Sequence, residues 1–105
     1  MYLIEVTSDF NELSRYDFVV TCAGYDSADN QIYVEGCEGM LLECGAAERI
    51  HAIVYAVTNM LPEDRLVANS PPFPIVITIT RYGEVLYSQT HEVNQWGGAS
   101  ITIKL

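Results

Sequence analysis

Residues 75–80 read Ile-Val-Ile-Thr-Ile-Thr, and Arg81-Tyr82-Gly83-Glu84 follows at once. The alternation places Ile75, Ile77 and Ile79 on one face, which is the period of a half-buried strand. Gly83 supplies the positive φ that a tight turn needs, and residues 85–93 return as the second arm. Strands joined by so short a connection pair antiparallel, because a parallel pair needs a crossover of a dozen residues or more. The second half of the chain is thereby committed to a hairpin before any other element is considered.

The same alternation recurs elsewhere. Tyr2, Ile4 and Val6 share a face over residues 2–7, and Tyr16, Phe18, Val20 and Cys22 share one over residues 16–22. Residues 31–37 read as a third strand, with Ile32 and Val34 expected inward, and Met40-Leu41-Leu42 is expected to pair briefly after the turn at Glu38-Gly39. Ile101, Ile103 and Leu105 alternate in a last strand after a turn at Trp96-Gly97-Gly98. Asp9 and Glu12 form a weak capping box for one short helical turn sealed by Phe10 and Leu13. The segment 23–30 carries Gly, Asp, Ser and Asn, which is loop chemistry, and Pro71, Pro72 and Pro74 stiffen a loop over residues 63–74.

Between these strands, Ile50, Ile53, Val54, Val57, Met60 and Leu61 follow helical spacing. Gly45 lies near the start of the stripe, Pro62 closes it, and Ala46, Ala47, Ala52 and Ala56 favour a slim helix. The spacing predicts one main helix with Ile53 and Val57 buried against a sheet. The expected fold is α+β, a single domain over residues 1–105. It is an antiparallel sheet of about five to six strands with one main helix packed on one face, in the order β-β-β-α-β-β-β.

Half of the 105 residues are hydrophobic, enough for one core without disulfides or a metal. Five Lys and Arg oppose fourteen Asp and Glu, for a net charge of −9. Such a surface repels phosphate, so direct binding to nucleic acid or to anionic membranes is not expected. The excess is one-sided. Residues 1–48 hold ten acids and one base, whereas residues 49–105 hold four of each. That asymmetry points to a partner surface. The odd count of three cysteines, with no secretory leader and no apolar run long enough to span a bilayer, leads to an expected cytoplasmic setting.

Motifs that carry chemistry are sparse. Cys37, Cys44 and His51 are spaced by seven, which is not the close pairing of a zinc knuckle. Cys22 and Cys37 on strands read as small hydrophobes, so no metal site is expected. A thiol enzyme would need Cys44, activated at the helix start, to meet His51 or His91, and nothing marks oxyanion donors or an orienting acid. Asp26 to Asn30 lacks the length, the central Gly and the terminal Glu of a calcium loop. Gly97-Gly98 precedes a strand and not a helix, so it does not read as a phosphate loop. No cofactor and no catalytic residue is expected. Seven tyrosines are many for this length, and Tyr is a residue of interfaces.

Size, acidity and the carboxylates Asp26, Asp29, Glu35, Glu38, Glu43 and Glu48 together resemble the small inhibitors of phages and mobile elements, of anti-CRISPR or anti-restriction type. Immunity proteins against basic nuclease toxins resemble it equally. Both resemblances imply carboxylates set against Lys and Arg that otherwise hold nucleic acid. The expected function is therefore an inhibitor that docks Tyr25, Asp26, Asp29, Tyr33, Glu35, Glu38, Glu43 and Glu48 onto a basic, nucleic-acid-handling protein, acting as a monomer or simple homodimer in a bacterial cytoplasm. The alternative is a non-catalytic small subunit of a larger assembly, and a thiol enzyme ranks third.

Overall fold

Period-two alternation governs almost the whole chain. The computed structural model describes residues 2–11, 13–58, 72–94 and 98–104. Its strands are β1 (Tyr2–Thr7), β2 (Tyr16–Tyr25), β3 (Gln31–Glu38), β4 (Leu41–Cys44), β5 (Arg49–Thr58), β6 (Phe73–Arg81), β7 (Glu84–Val93) and β8 (Gly98–Lys104). The one helical element among the described residues is a 3-10 turn, Leu13–Arg15, close to the short turn expected there. Glu12, the second half of the expected capping box, lies outside the described residues.

The strands form two four-stranded sheets, in the orders β4-β1-β6-β7 and β3-β2-β5-β8. Every pairing is antiparallel. The two inward faces close on one apolar core. Tyr2, Ile4, Val6, Ile75, Ile77 and Ile79 come from the first sheet, and Phe18, Val20, Cys22, Ile50, Val54 and Ile101 from the second. Seven of these, Ile4, Val20, Ile50, Val54, Ile75, Ile77 and Ile79, have no exposed surface at all. The β6–β7 hairpin turns on Tyr82 (φ 49°) and Gly83 (φ 81°), the two positive values of a type I′ turn.

The expected α+β fold is corrected by β5. Residues 49–58 are a ten-residue strand and not a helix, so the described residues form a β-sandwich with no main helix among them. Half of this segment, Ile50, Ile53, Val54, Val57 and Thr58, is β-branched, which stiffens χ1 and favours a pleated backbone. A second pattern lies under the helical one: Ile50, Ala52, Val54 and Ala56 alternate, and all four are buried. The strand sits between β2 and β8, which satisfy its backbone groups from both sides. Ile53 and Val57, expected inward on a helix, are exposed on the outward face, and so are Ile32 and Val34 of β3. The expected helix end at Met60-Leu61-Pro62, the loop through Pro71 and the turn at Trp96-Gly97 lie outside the described residues.

One end of the sandwich is sealed by aromatic rings. Phe10 stacks on Phe73 at 4.3 Å, and Tyr16 meets the same ring at 4.9 Å. The opposite end carries the loops after β2 and β4 and the β6–β7 turn. There the Tyr2 hydroxyl donates to the Ala47 carbonyl at 2.8 Å.

Candidate functional site

The loop after β2 is built by one carboxylate. Asp26 accepts from the backbone N–H of Ala28 and of Asn30, each at 2.9 Å. This is an Asx-type turn, and it lets Asp29 sit at φ 61°. The N–H of Asn30, followed by its side-chain amide and the N–H of Ala28, holds the Asp26 carboxyl below the usual carboxylate range. Asp29 pairs with Arg49 at 3.4 Å, and the guanidinium lies 4.0 Å from the centre of the Tyr25 ring. The Glu48 N–H donates to the Tyr25 carbonyl at 2.9 Å, tying the loop before β5 to the end of β2.

Tyr25, Asp26, Asp29 and Glu48 are thus brought to one end of the sandwich. Asp26 and Glu48 border a groove of about 410 Å³, with Arg81 and Tyr82 on its far side. Tyr82 is almost fully exposed at the tip of its hairpin, and the sequence reading passed over it. Its signal was present: a bulky aromatic at a turn position requiring positive φ has no local reason to be there.

Tyr33, Glu35 and Cys37 share the side of β3 that looks toward β4, as their alternation implies. The Tyr33 hydroxyl donates to the Gly45 carbonyl at 2.7 Å, and the Cys37 thiol to the Leu41 carbonyl at 3.1 Å. These two bonds stitch neighbouring edges of the two sheets. Glu35 stays exposed between them. Glu38 is exposed at the far end of β3, and Glu43 on the outward face of β4. The eight expected contact residues therefore do not form one patch. Four gather at the loop end, two lie along the β3–β4 corner, and Glu38 and Glu43 stand apart.

Behind Tyr33 the structure joins two thiols that lie 22 positions apart in sequence. Cys22 of β2 and Cys44 of β4 are both buried close to one another and to Tyr33, and the Cys44 thiol donates to the Tyr2 carbonyl at 3.7 Å. The neighbouring Cys44 thiol, followed by burial, pushes Cys22 up, and the Cys22 thiol draws Cys44 down. Burial, followed by the neighbouring thiols, raises Tyr33. The Cys44 shift does not come from a helix start, because none exists there.

No Cys–His pair forms. Cys44 is on β4 and His91 on β7, at opposite edges of one sheet, and the His91 ring bonds the Tyr87 hydroxyl at 2.5 Å. His51 faces outward from β5 and bonds the Ser100 hydroxyl at 2.6 Å. Among the described residues no three His, Cys, Asp or Glu side chains converge as metal ligands. No helix among them is long and apolar enough to cross a membrane. No protein family, no curated protein and no solved structure matches the chain.

Proposed function

We propose that the protein is a non-catalytic binding module that captures a basic, nucleic-acid-handling protein, in the manner of the small acidic inhibitors it resembles. One observation carries this reading. Glu35, Glu38, Glu43 and Glu48 are all exposed, and none has an ion-pair partner among the described residues, whereas Asp29 is neutralised by Arg49. Uncompensated carboxylates on a surface keep their field, and that field steers a basic partner into encounter. Tyr82, exposed beside the groove that Asp26 and Glu48 border, supplies an aromatic anchor to slow dissociation. Tyr25 and Tyr33 act differently, since the first lies under Arg49 and the second is bonded to Gly45.

The test is capture from bacterial lysate on the immobilised full chain at low and high salt, with mass spectrometry of the retained proteins. The joint reversal Glu35→Lys, Glu38→Lys and Glu43→Lys is compared with Asp9→Lys, Glu84→Lys and Glu92→Lys, which changes the net charge equally elsewhere on the surface. The expected result is a basic protein held at low salt, released at high salt, and lost on the first reversal only. Equal loss on both reversals makes total charge the sole determinant and removes the site. Retention of no basic protein by the unaltered chain leaves the carboxylates a solvation role.

A further inference from the structure

The outward face of the sheet β3-β2-β5-β8 does not look like a face made for water. On β5 the outward residues His51, Ile53, Tyr55 and Val57 are about as apolar as the inward Ile50, Ala52, Val54 and Ala56. A strand with one solvated face alternates apolar with polar, and a strand covered on both faces reads apolar throughout. The neighbours extend the pattern: Val34 is 62% exposed, Ile32 51%, Val57 41% and Ile53 38%. The outward face of the other sheet is more mixed: exposed Leu41 and Val85 stand among Glu5, Glu43, Thr78 and Ser88. An exposed contiguous apolar surface on an otherwise highly charged molecule marks an interface.

We infer that this face packs against the same face of a second copy of the chain about a two-fold axis. The extent of the surface fits. With strands about 4.8 Å apart and a rise of about 3.3 Å per residue, four strands of up to ten residues cover roughly 600 Å². Two copies then bury roughly 1,200 Å², which reaches the lower bound of stable interfaces. Asp17 and Glu38 lie at one end of the face, and Arg49, which already pairs with Asp29 of its own chain at 3.4 Å, lies at the other. An axis crossing the strands turns the acidic end of one copy over the basic end of the next. It also lays the central row, Gly36, Thr21, Ile53 and Ser100, on its own equivalent, where small side chains permit close approach. An axis along the strands would stack Asp17 and Glu38 on themselves and is disfavoured. Glu5 and Glu43 are on the opposite sheet, facing away from the contact, so the net charge of −9 opposes pairing less than its size suggests. The centre of the face holds no carboxylate, which favours a second copy over a basic protein as its occupant.

Sedimentation velocity on the full chain, from about 1 µM to about 200 µM, tests the inference. A concentration-dependent dimer is expected. Ile53→Asp and Val34→Asp are each expected to weaken it by about 30-fold or more, since both bury an unpaired charge in the contact. Val85→Asp on the other sheet is expected to leave it unchanged. Circular dichroism checks the fold of each variant. If Ile53→Asp fails to fold, Val34→Asp on the exposed edge strand decides. A chain that stays monomeric across the range overturns the inference and leaves the face to a different protein. A dimer that tolerates the folded face variants, or that Val85→Asp weakens as much, overturns it too. Because Glu38 lies at the acidic end of this face, the capture experiment is also run with Glu35→Lys and Glu43→Lys alone, which lie off the face, so that the two readings fail separately.

Discussion

Single residues hold the loop end and the sheet corner together. Gly24 is buried under Tyr33, and a Cβ there would meet the ring carbon Cε1 at 2.2 Å. Because Tyr33 is anchored to Gly45, Gly24→Ala is expected to destabilise by about 1–3 kcal/mol in a denaturant melt. In a Tyr33→Ala background the same change is expected to cost much less, and a full cost there would show that the backbone itself rejects the methyl. Asp26 is the second such residue. Its folded-state pKa is lowered, so its support of the turn is complete above the ordinary carboxylate value of about 3.9 and fades as pH falls through the lowered one. Amide exchange at Ala28 and Asn30 is expected to accelerate in Asp26→Asn at neutral pH, and in the unaltered protein only under strong acid. The thiols divide by burial. A bulky aromatic disulfide reagent is expected to label half-exposed Cys37 first, and Cys22 and Cys44 only at the rate at which the core opens. Labelling of all three at one rate would contradict the burial of the pair.

At the scale of elements, β5 is where the sequence misleads. Ile50, Ile53, Val54 and Val57 satisfy the helical template only because both faces of the strand are apolar. Composition weighed the other way, since the segment is rich in β-branched residues. The two assignments make opposite mutational demands. Ile50→Ala is expected to cost about 2–5 kcal/mol, because Ile50 is fully buried. Ile53→Ala is expected to cost well under 2 kcal/mol when measured at protein concentrations too low for self-association. A helix would require a large cost at Ile53 as well, so equal large losses would restore it. The other strands were legible because each alternates one apolar face with a more polar one. β3 is the partial exception: Tyr33, Glu35 and Cys37 turn toward β4, while the more apolar Ile32 and Val34 look outward.

For the molecule as a whole, contact between distant parts of the chain dominates. β1 pairs with β4 and β6, and β2 with β5, so little of the sandwich is local beyond its two hairpins. Refolding is expected on the millisecond-to-second scale of all-β sandwiches, and a submillisecond phase that recovers the full signal would contradict the pairing. The sequence by itself determined the approximate positions of six strands and a brief pairing near Leu41-Leu42, the antiparallel hairpin at Tyr82-Gly83, the inward faces of β1, β2 and β6, and the one-sided charge. Each of these is a local property, carried by alternation, turn chemistry or composition within a few residues. Tertiary structure alone decided that residues 49–58 join a sheet, because a run apolar on both faces suits a helix or a strand until neighbours offer it hydrogen bonds. It alone brought Cys22 to Cys44, set Arg49 over Tyr25 and spread the eight expected contact residues over several surfaces. Those are matters of register between strands, and register is fixed by which faces can be buried together, a quantity no single segment contains.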